Sequence, residues 1–136
     1  MTNPDRKDSN SEEVAGRALT KAFVVRDIDT ARALGSGSLE VLGTPRVLAW
    51  FEEVSVGLVA DHLEPGTTTV GTAVHVNHLA ASAVGANIHV TLTEDSASGR
   101  SRTFSARAFD DKGTVIATGV IERAVVSVER FLGRLR

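Results

Sequence analysis

Thr44, Glu52 and His78 are the residues of this chain that could together form a site of chemistry. Glu52 and Glu53 interrupt an otherwise apolar stretch, Thr44-Pro45-Arg46-Val47-Leu48-Ala49-Trp50-Phe51-Glu52-Glu53-Val54-Ser55-Val56-Gly57-Leu58-Val59-Ala60. A carboxylate in such surroundings is costly unless paired, so an unpaired one shifts its pKa upward and becomes a usable base. Groups of this kind gather at sites of chemistry. His78 is equally out of place, alternating with Thr72, Val74 and Val76 on one face of a strand pattern while His75 and Asn77 take the other. Each has a plain structural alternative. A glutamate can be half of a salt bridge at a subunit contact, and that remains the better reading for Glu53. A core histidine can simply be hydrogen-bonded, and a threonine can cap a helix.

The elements that must position these residues follow from the pattern. Thr44 as N-cap and Pro45 at the first helical position open a helix, and Glu64-Pro65-Gly66 closes it near Leu63. On that helix Leu48, Val56, Val59 and Leu63 share the face of Glu52, whereas Glu53 lies with the small residues Ala49, Gly57 and Ala60. A helix apolar on nearly all sides needs more cover than one sheet provides. Ahead of it, Ala22-Phe23-Val24-Val25 centres a strand, and residues 29 to 43, with Gly35-Ser36-Gly37-Ser38, read as a mobile loop after a short helical turn. Behind it, Thr68 to Leu79, Ala86 to Glu94, Arg102 to Phe109 and Thr114 to Val128 are strands. Ser96-Ala97-Ser98-Gly99 and Asp110-Asp111-Lys112-Gly113 are hairpin turns, which makes these strands antiparallel neighbours. The fold class is α+β, a single helix covering an antiparallel sheet of about five strands.

Composition narrows the function. The 136 residues are 42% hydrophobic, enough for one domain with a core, expected over residues 15–136 after a disordered polar tail at 1–14. A net charge of -2 and 4% aromatic residues argue against nucleic acid as a partner. The chain has no cysteine, so disulfides, thiolate metal sites and a cysteine nucleophile are excluded. No metal site is expected either, since His62, His75, His78 and His89 lack ligand spacing. His62 suits the helix C-terminal dipole, and His89 has no special context. No apolar run reaches the roughly 20 residues of a membrane span, and Met1 to Glu13 has no apolar signal core. The cytoplasm is the expected compartment.

The order strand, long helix and run of long antiparallel strands resembles the hotdog fold. Within it, the chain resembles the fluoroacetyl-CoA thioesterase family through Thr44, Glu52 eight positions later, Leu63-Glu64-Pro65-Gly66, Gly71-Thr72-Ala73-Val74-His75-Val76-Asn77-His78 and Glu122-Arg123-Ala124-Val125. The resemblance spans roughly residues 20 to 132. It implies hydrolysis of a small acyl-CoA thioester to free acid and CoA, with Thr44, Glu52 and His78 as the catalytic set. It also places Arg123 near the CoA-binding region, in contact with pantetheine or phosphates; the structural alternative is a surface charge. Gly71 lacks a side chain, so its backbone can approach a ligand, and its N–H is a candidate oxyanion donor alongside the free N–H groups of the helix start. Thiolate departure requires no metal or redox cofactor. The family's bulky aromatics ahead of the threonine are missing, since Ala33-Leu34-Gly35-Ser36-Gly37-Ser38-Leu39 contains no Phe. Specificity for fluoroacetate is therefore not implied.

Eight residues of helix rise about 12 Å, too far for Thr44 and Glu52 of one chain to share a hydrogen bond. Either the chain bends back before Arg46, or the site is assembled across a dimer interface, which is the preferred reading. A homodimer or tetramer is expected, because hotdog proteins usually pair by extending one sheet into another. Two alternatives stand beside hydrolysis. One is an acyl-CoA or small-ligand binding protein without turnover. The other is a hotdog hydratase, whose Asp/His pair is matched only by Asp61-His62 at the helix end.

Overall fold

The computed structural model describes residues 16–136, so the expected tail lies outside the described residues. Five antiparallel strands run β1 (Ala18–Val24), β2 (Thr67–His78), β3 (Asn87–Ser98), β4 (Ser101–Asp110) and β5 (Val115–Ser127), in the sheet order β1-β3-β4-β5-β2. A four-residue helix α1 (Ala31–Leu34) precedes the long helix α2 (Thr44–Val59), and a short helix α3 (Val128–Gly133) follows β5. This is the expected α+β layer with one long helix across one sheet. Among the described residues, no helix is long and apolar enough to cross a membrane.

The core forms where the two periodicities meet. Along β3, Ile88, Val90 and Leu92 alternate into the helix side, and from α2 come Val47, Phe51 and Val54, all essentially sealed from solvent. Each such side chain contributes roughly 1.5–3 kcal/mol through burial. Gly119 on β5 lets the Phe51 ring lie directly against the sheet, since a Cβ there would meet the ring at 3.1 Å. Trp50 stacks on Phe23 with centroids 4.6 Å apart, joining the helix to β1. The outer face of α2 leaves Glu53, Val56 and Gly57 exposed. Glu53 does form a salt bridge, to Lys21 of β1 at 2.5 Å within the same chain.

Two expectations about α2 change. Helix geometry ends at Val59, followed by a 3-10 turn over Ala60–His62. The N-cap is Gly43, which moves Thr44 into the first helical position, where its side chain caps nothing.

The segment before α2 is not a free loop. After a 3-10 turn at Asp27–Asp29, the buried Asp29 carboxylate accepts the Arg26 N–H at 2.8 Å and pairs with Arg46 Nε at 2.9 Å on the first turn of α2. The Thr30 hydroxyl caps α1 by accepting from Ala33 N–H. Leu42 N–H donates to the Ser82 carbonyl at 2.9 Å, and Val41 bridges to Ala83. The helix start is thereby fastened beside the loop that leaves β2.

Candidate active site

That fastening brings Thr44 to His78. The Thr44 hydroxyl and His78 Nδ1 lie 2.7 Å apart, and the hydroxyl is available because Gly43 has taken over the capping position. His78 ends β2 and is partly buried; its Nε2 is sealed from solvent and has no hydrogen-bond partner among the described residues. Burial disfavours the imidazolium and holds the His78 pKa below its ordinary 6.5, against an opposing interaction with the Ala80 backbone. A cavity of about 320 Å³ opens here, with Ala31, Ser36, Thr44, His78, Ala80 and Ala81 among its walls. The walls carry no aromatic residue, in keeping with the Phe-free segment ahead of Thr44.

Glu52 stands elsewhere and is not unpaired. Its Oε2 accepts from Arg123 Nη1 at 2.8 Å, so the charge it carries has a partner. Arg123 in turn is buried, with Nε donating to Thr69 Oγ1 at 2.9 Å and Nη2 to the Thr69 carbonyl at 3.0 Å. All three guanidinium nitrogens are thus engaged, and Arg123 is neither a surface charge nor open to a phosphate. The carboxylate lies directly over Gly71, where any Cβ would collide with Glu52 Oε2. Gly71 and Arg123 are register partners on β2 and β5, so sheet, helix and ion pair converge on one point.

One irregularity puts both groups on the same side of the sheet. Gly71 and His78 are seven positions apart and would face opposite ways along a regular strand. The register of β2 on β5 shifts between Gly71 and Ala73, leaving Thr72 as an extra residue whose hydroxyl donates to the Glu122 carbonyl at 3.0 Å. The bulge inverts the alternation, so Thr67, Thr69 and Gly71 face the helix before it, and Val74, Val76 and His78 after it. His75 is exposed on the outer side, as expected.

The expected site residues therefore fall into two separate clusters, Thr44–His78 and Glu52–Gly71–Arg123. Sequence reasoning missed Thr69, the anchor of Arg123, although it shares strand parity with Gly71. It also missed Glu94, a carboxylate only 1% exposed on β3, with Arg102 Nε 4.0 Å away. Burial raises the Glu94 pKa above its ordinary 4.5, and Arg17, Arg102 and His62 oppose that rise. His89 does have a context, since its Nε2 lies 2.8 Å from Asp111 Oδ1.

Comparison with known proteins places the fold and the family. A fluoroacetyl-CoA thioesterase from Streptantibioticus cattleyicolor is 35% identical over 127 residues, covering 89% of this chain and 91% of that protein. A solved structure of the fluoroacetyl-CoA thioesterase FlK superposes with a TM-score of 0.83 at 33% identity, covering 90% of this chain and 94% of the other. A thioesterase superfamily member from Thermus thermophilus shares the fold, with a TM-score of 0.84 at 21% identity over 90% of each chain. Residues 25–129 match the family model described as fluoroacetyl-CoA-specific thioesterase, and the chain belongs to that family of hotdog thioesterases.

Proposed function

We propose that this chain hydrolyses a small acyl-CoA thioester as a homodimer, each site combining Glu52, Gly71 and Arg123 of one subunit with Thr44 and His78 of the other. The observation that carries the reading is the 2.7 Å contact between Thr44 and His78, made by a threonine relieved of its capping role.

Strand geometry supports the sharing. β2 lies at the sheet edge, is twelve residues long and contains no Lys, Asp, Glu or Pro, so its free edge is a template for another strand. Antiparallel pairing of two β2 strands about His75, with Thr72 as the extra residue of the bulge, sets Gly71 opposite His78 of the partner subunit. Directly opposed residues share a face and stand about 5 Å apart, whereas seven positions along one strand span about 23 Å. The bulge at Thr72 turns both residues toward the helices.

In the proposed reaction, Glu52 accepts a proton from water while the water oxygen bonds to the thioester carbon. The carbonyl electron pair moves onto oxygen, where it meets a proton donor of the Thr44–His78 pair. Collapse breaks the C–S bond, CoA departs as the thiolate, and the proton held by Glu52 returns to the sulfur. Arg123 is a positioning residue that keeps Glu52 over Gly71. The small-residue wall beside Thr44 admits acyl groups larger than fluoroacetyl.

The test is thiol release from acetyl-, fluoroacetyl-, malonyl-, phenylacetyl- and longer acyl-CoAs. Turnover of at least one, with fluoroacetyl-CoA given no marked preference over acetyl-CoA, supports the reading. Binding without thiol release from any of them contradicts it.

A further inference from the structure

A second cavity, of about 230 Å³, lies at the opposite end of β2 from His78, walled by Thr67, Arg100, Ser127, Arg130, Phe131 and Arg134. Three arginines line it, Arg100 from the β3–β4 turn, Arg130 from the C-terminal helix α3 and Arg134 from the residue after that helix. None of the three has a carboxylate partner among the described residues, whereas Arg26, Arg32, Arg46, Arg102 and Arg123 each have one. Glu129 is the acidic residue nearest in sequence to Arg130, and it is exposed, with no ion pair among the described residues. Unmatched positive charge concentrated in one concave spot of a chain with net charge -2 marks a place for a polyanion. Arginine's planar fork suits phosphate in particular, and Phe131 adds an aromatic wall for a base.

The register says which polyanion. Gly71–Arg123, Thr69–Val125 and Thr67–Ser127 are successive facing pairs of β2 and β5. Thr67 and Ser127 therefore lie on the same side of the sheet as the Glu52 carboxylate, four positions along, about 13 Å away. An extended pantetheine arm, with its two amides between sulfur and the first phosphate, covers such a distance. We infer that this cavity holds the phosphates of the CoA nucleotide, with Arg100, Arg130 and Arg134 as their ligands on the subunit that contributes Glu52. The inference rests on the thioesterase reading and adds the anchor that reading lacks, because Arg123 is fully engaged with Glu52 and Thr69.

The experiment compares an acyl-CoA with the same acyl group on pantetheine, which has no nucleotide, in the full chain. The readout is the ratio of their kcat/KM values. Arg130→Gln and Arg134→Gln should each lower that ratio about tenfold or more, the loss expected for a hydrogen bond to a charged group. Arg107→Gln, on the outer face of β4, should leave it at the wild-type value. Adenosine 3′,5′-bisphosphate should compete with acyl-CoA and lose this effect in Arg130→Gln. If the wild type hydrolyses both substrates with equal kcat/KM, or the arginine variants leave the ratio unchanged, the inference is overturned while the thioesterase reading stands. If neither substrate is hydrolysed, the thioesterase reading itself falls.

Discussion

The carboxylate of Glu52 occupies the space that a side chain at Gly71 would fill, with Arg123 of the neighbouring strand holding it there. Gly71 does not need its conformational freedom, since its φ is not positive. Its absence of a Cβ is what the site uses. Gly71→Ala should therefore fold and melt within about 1 kcal/mol of the wild type, yet lose on the order of 10²-fold in kcat as Glu52 is pushed aside. Paired thermal melts and steady-state kinetics check this; a variant with full activity would show that the carboxylate's position over Gly71 is incidental.

Arg123→Met leaves Glu52 without its counter-charge in a partly buried place. Removing one member of such a pair is strongly destabilising, and the one-third exposure of the Glu52 side chain brings the expected cost down to about 2 kcal/mol. Adding Glu52→Gln should restore most of that stability while activity stays lost. Urea titrations of the two single variants and the double variant read the coupling; strictly additive losses contradict a direct pair.

The pH dependence should carry the signature of His78. Its pKa is held below 6.5 in the folded chain, so the neutral ring persists into mildly acidic solution. The acid limb of kcat/KM assigned to His78 should therefore fall below pH 6.5. Stability follows the same sign. The unfolded chain takes up the His78 proton first, so folding free energy is lost as pH drops from about 6.5 through the folded pKa. His78→Ala should flatten that part of the stability profile and lower the rate, while His75→Ala, on the outer face, should do neither.

Glu94 gives the opposite sign. Burial raises its pKa, so the folded chain retains that proton to higher pH than the unfolded chain does. Stability is then lost as pH rises from about 4.5 through the raised value. Glu94→Gln should melt above the wild type at pH 7, and the advantage should shrink toward pH 4.5. A Gln variant less stable at pH 7 would show that Arg17 and Arg102 outweigh the burial cost.

Much of this arrangement is legible in the residues, and the remainder has physical reasons for being hidden. The alternation of Ile88, Val90 and Leu92 and the apolar face of Val47, Phe51 and Val54 state their elements directly, because period and burial coincide there. The bulge at Thr72 is silent, since one extra residue leaves a run of Thr and Val looking like any other strand. Thr44 looks like a cap by composition, but Gly43 takes that position when Leu42 is drawn to Ser82. Residues 29 to 43 look loose because glycine and serine mark them, while the Asp29–Arg46 pair that fastens them joins residues 17 positions apart. Arg123 meets Glu52 across 71 positions, so its role as a holder of the carboxylate appears only in three dimensions.

Whether one subunit's Glu52 works with the other's Thr44 and His78 is decided by mixing inactive chains. Thr44→Ala and Glu52→Gln homodimers are each expected to lack activity. Unfolded together and refolded, half of the dimers formed by random pairing are mixed, and each mixed dimer has one site free of both changes if sites are shared. The account predicts recovery of about a quarter of wild-type activity, and none from mixing Thr44→Ala with His78→Ala. No recovery in the first mixture, with mixed dimers verified by mass, would place the whole site within a single chain and contradict the account.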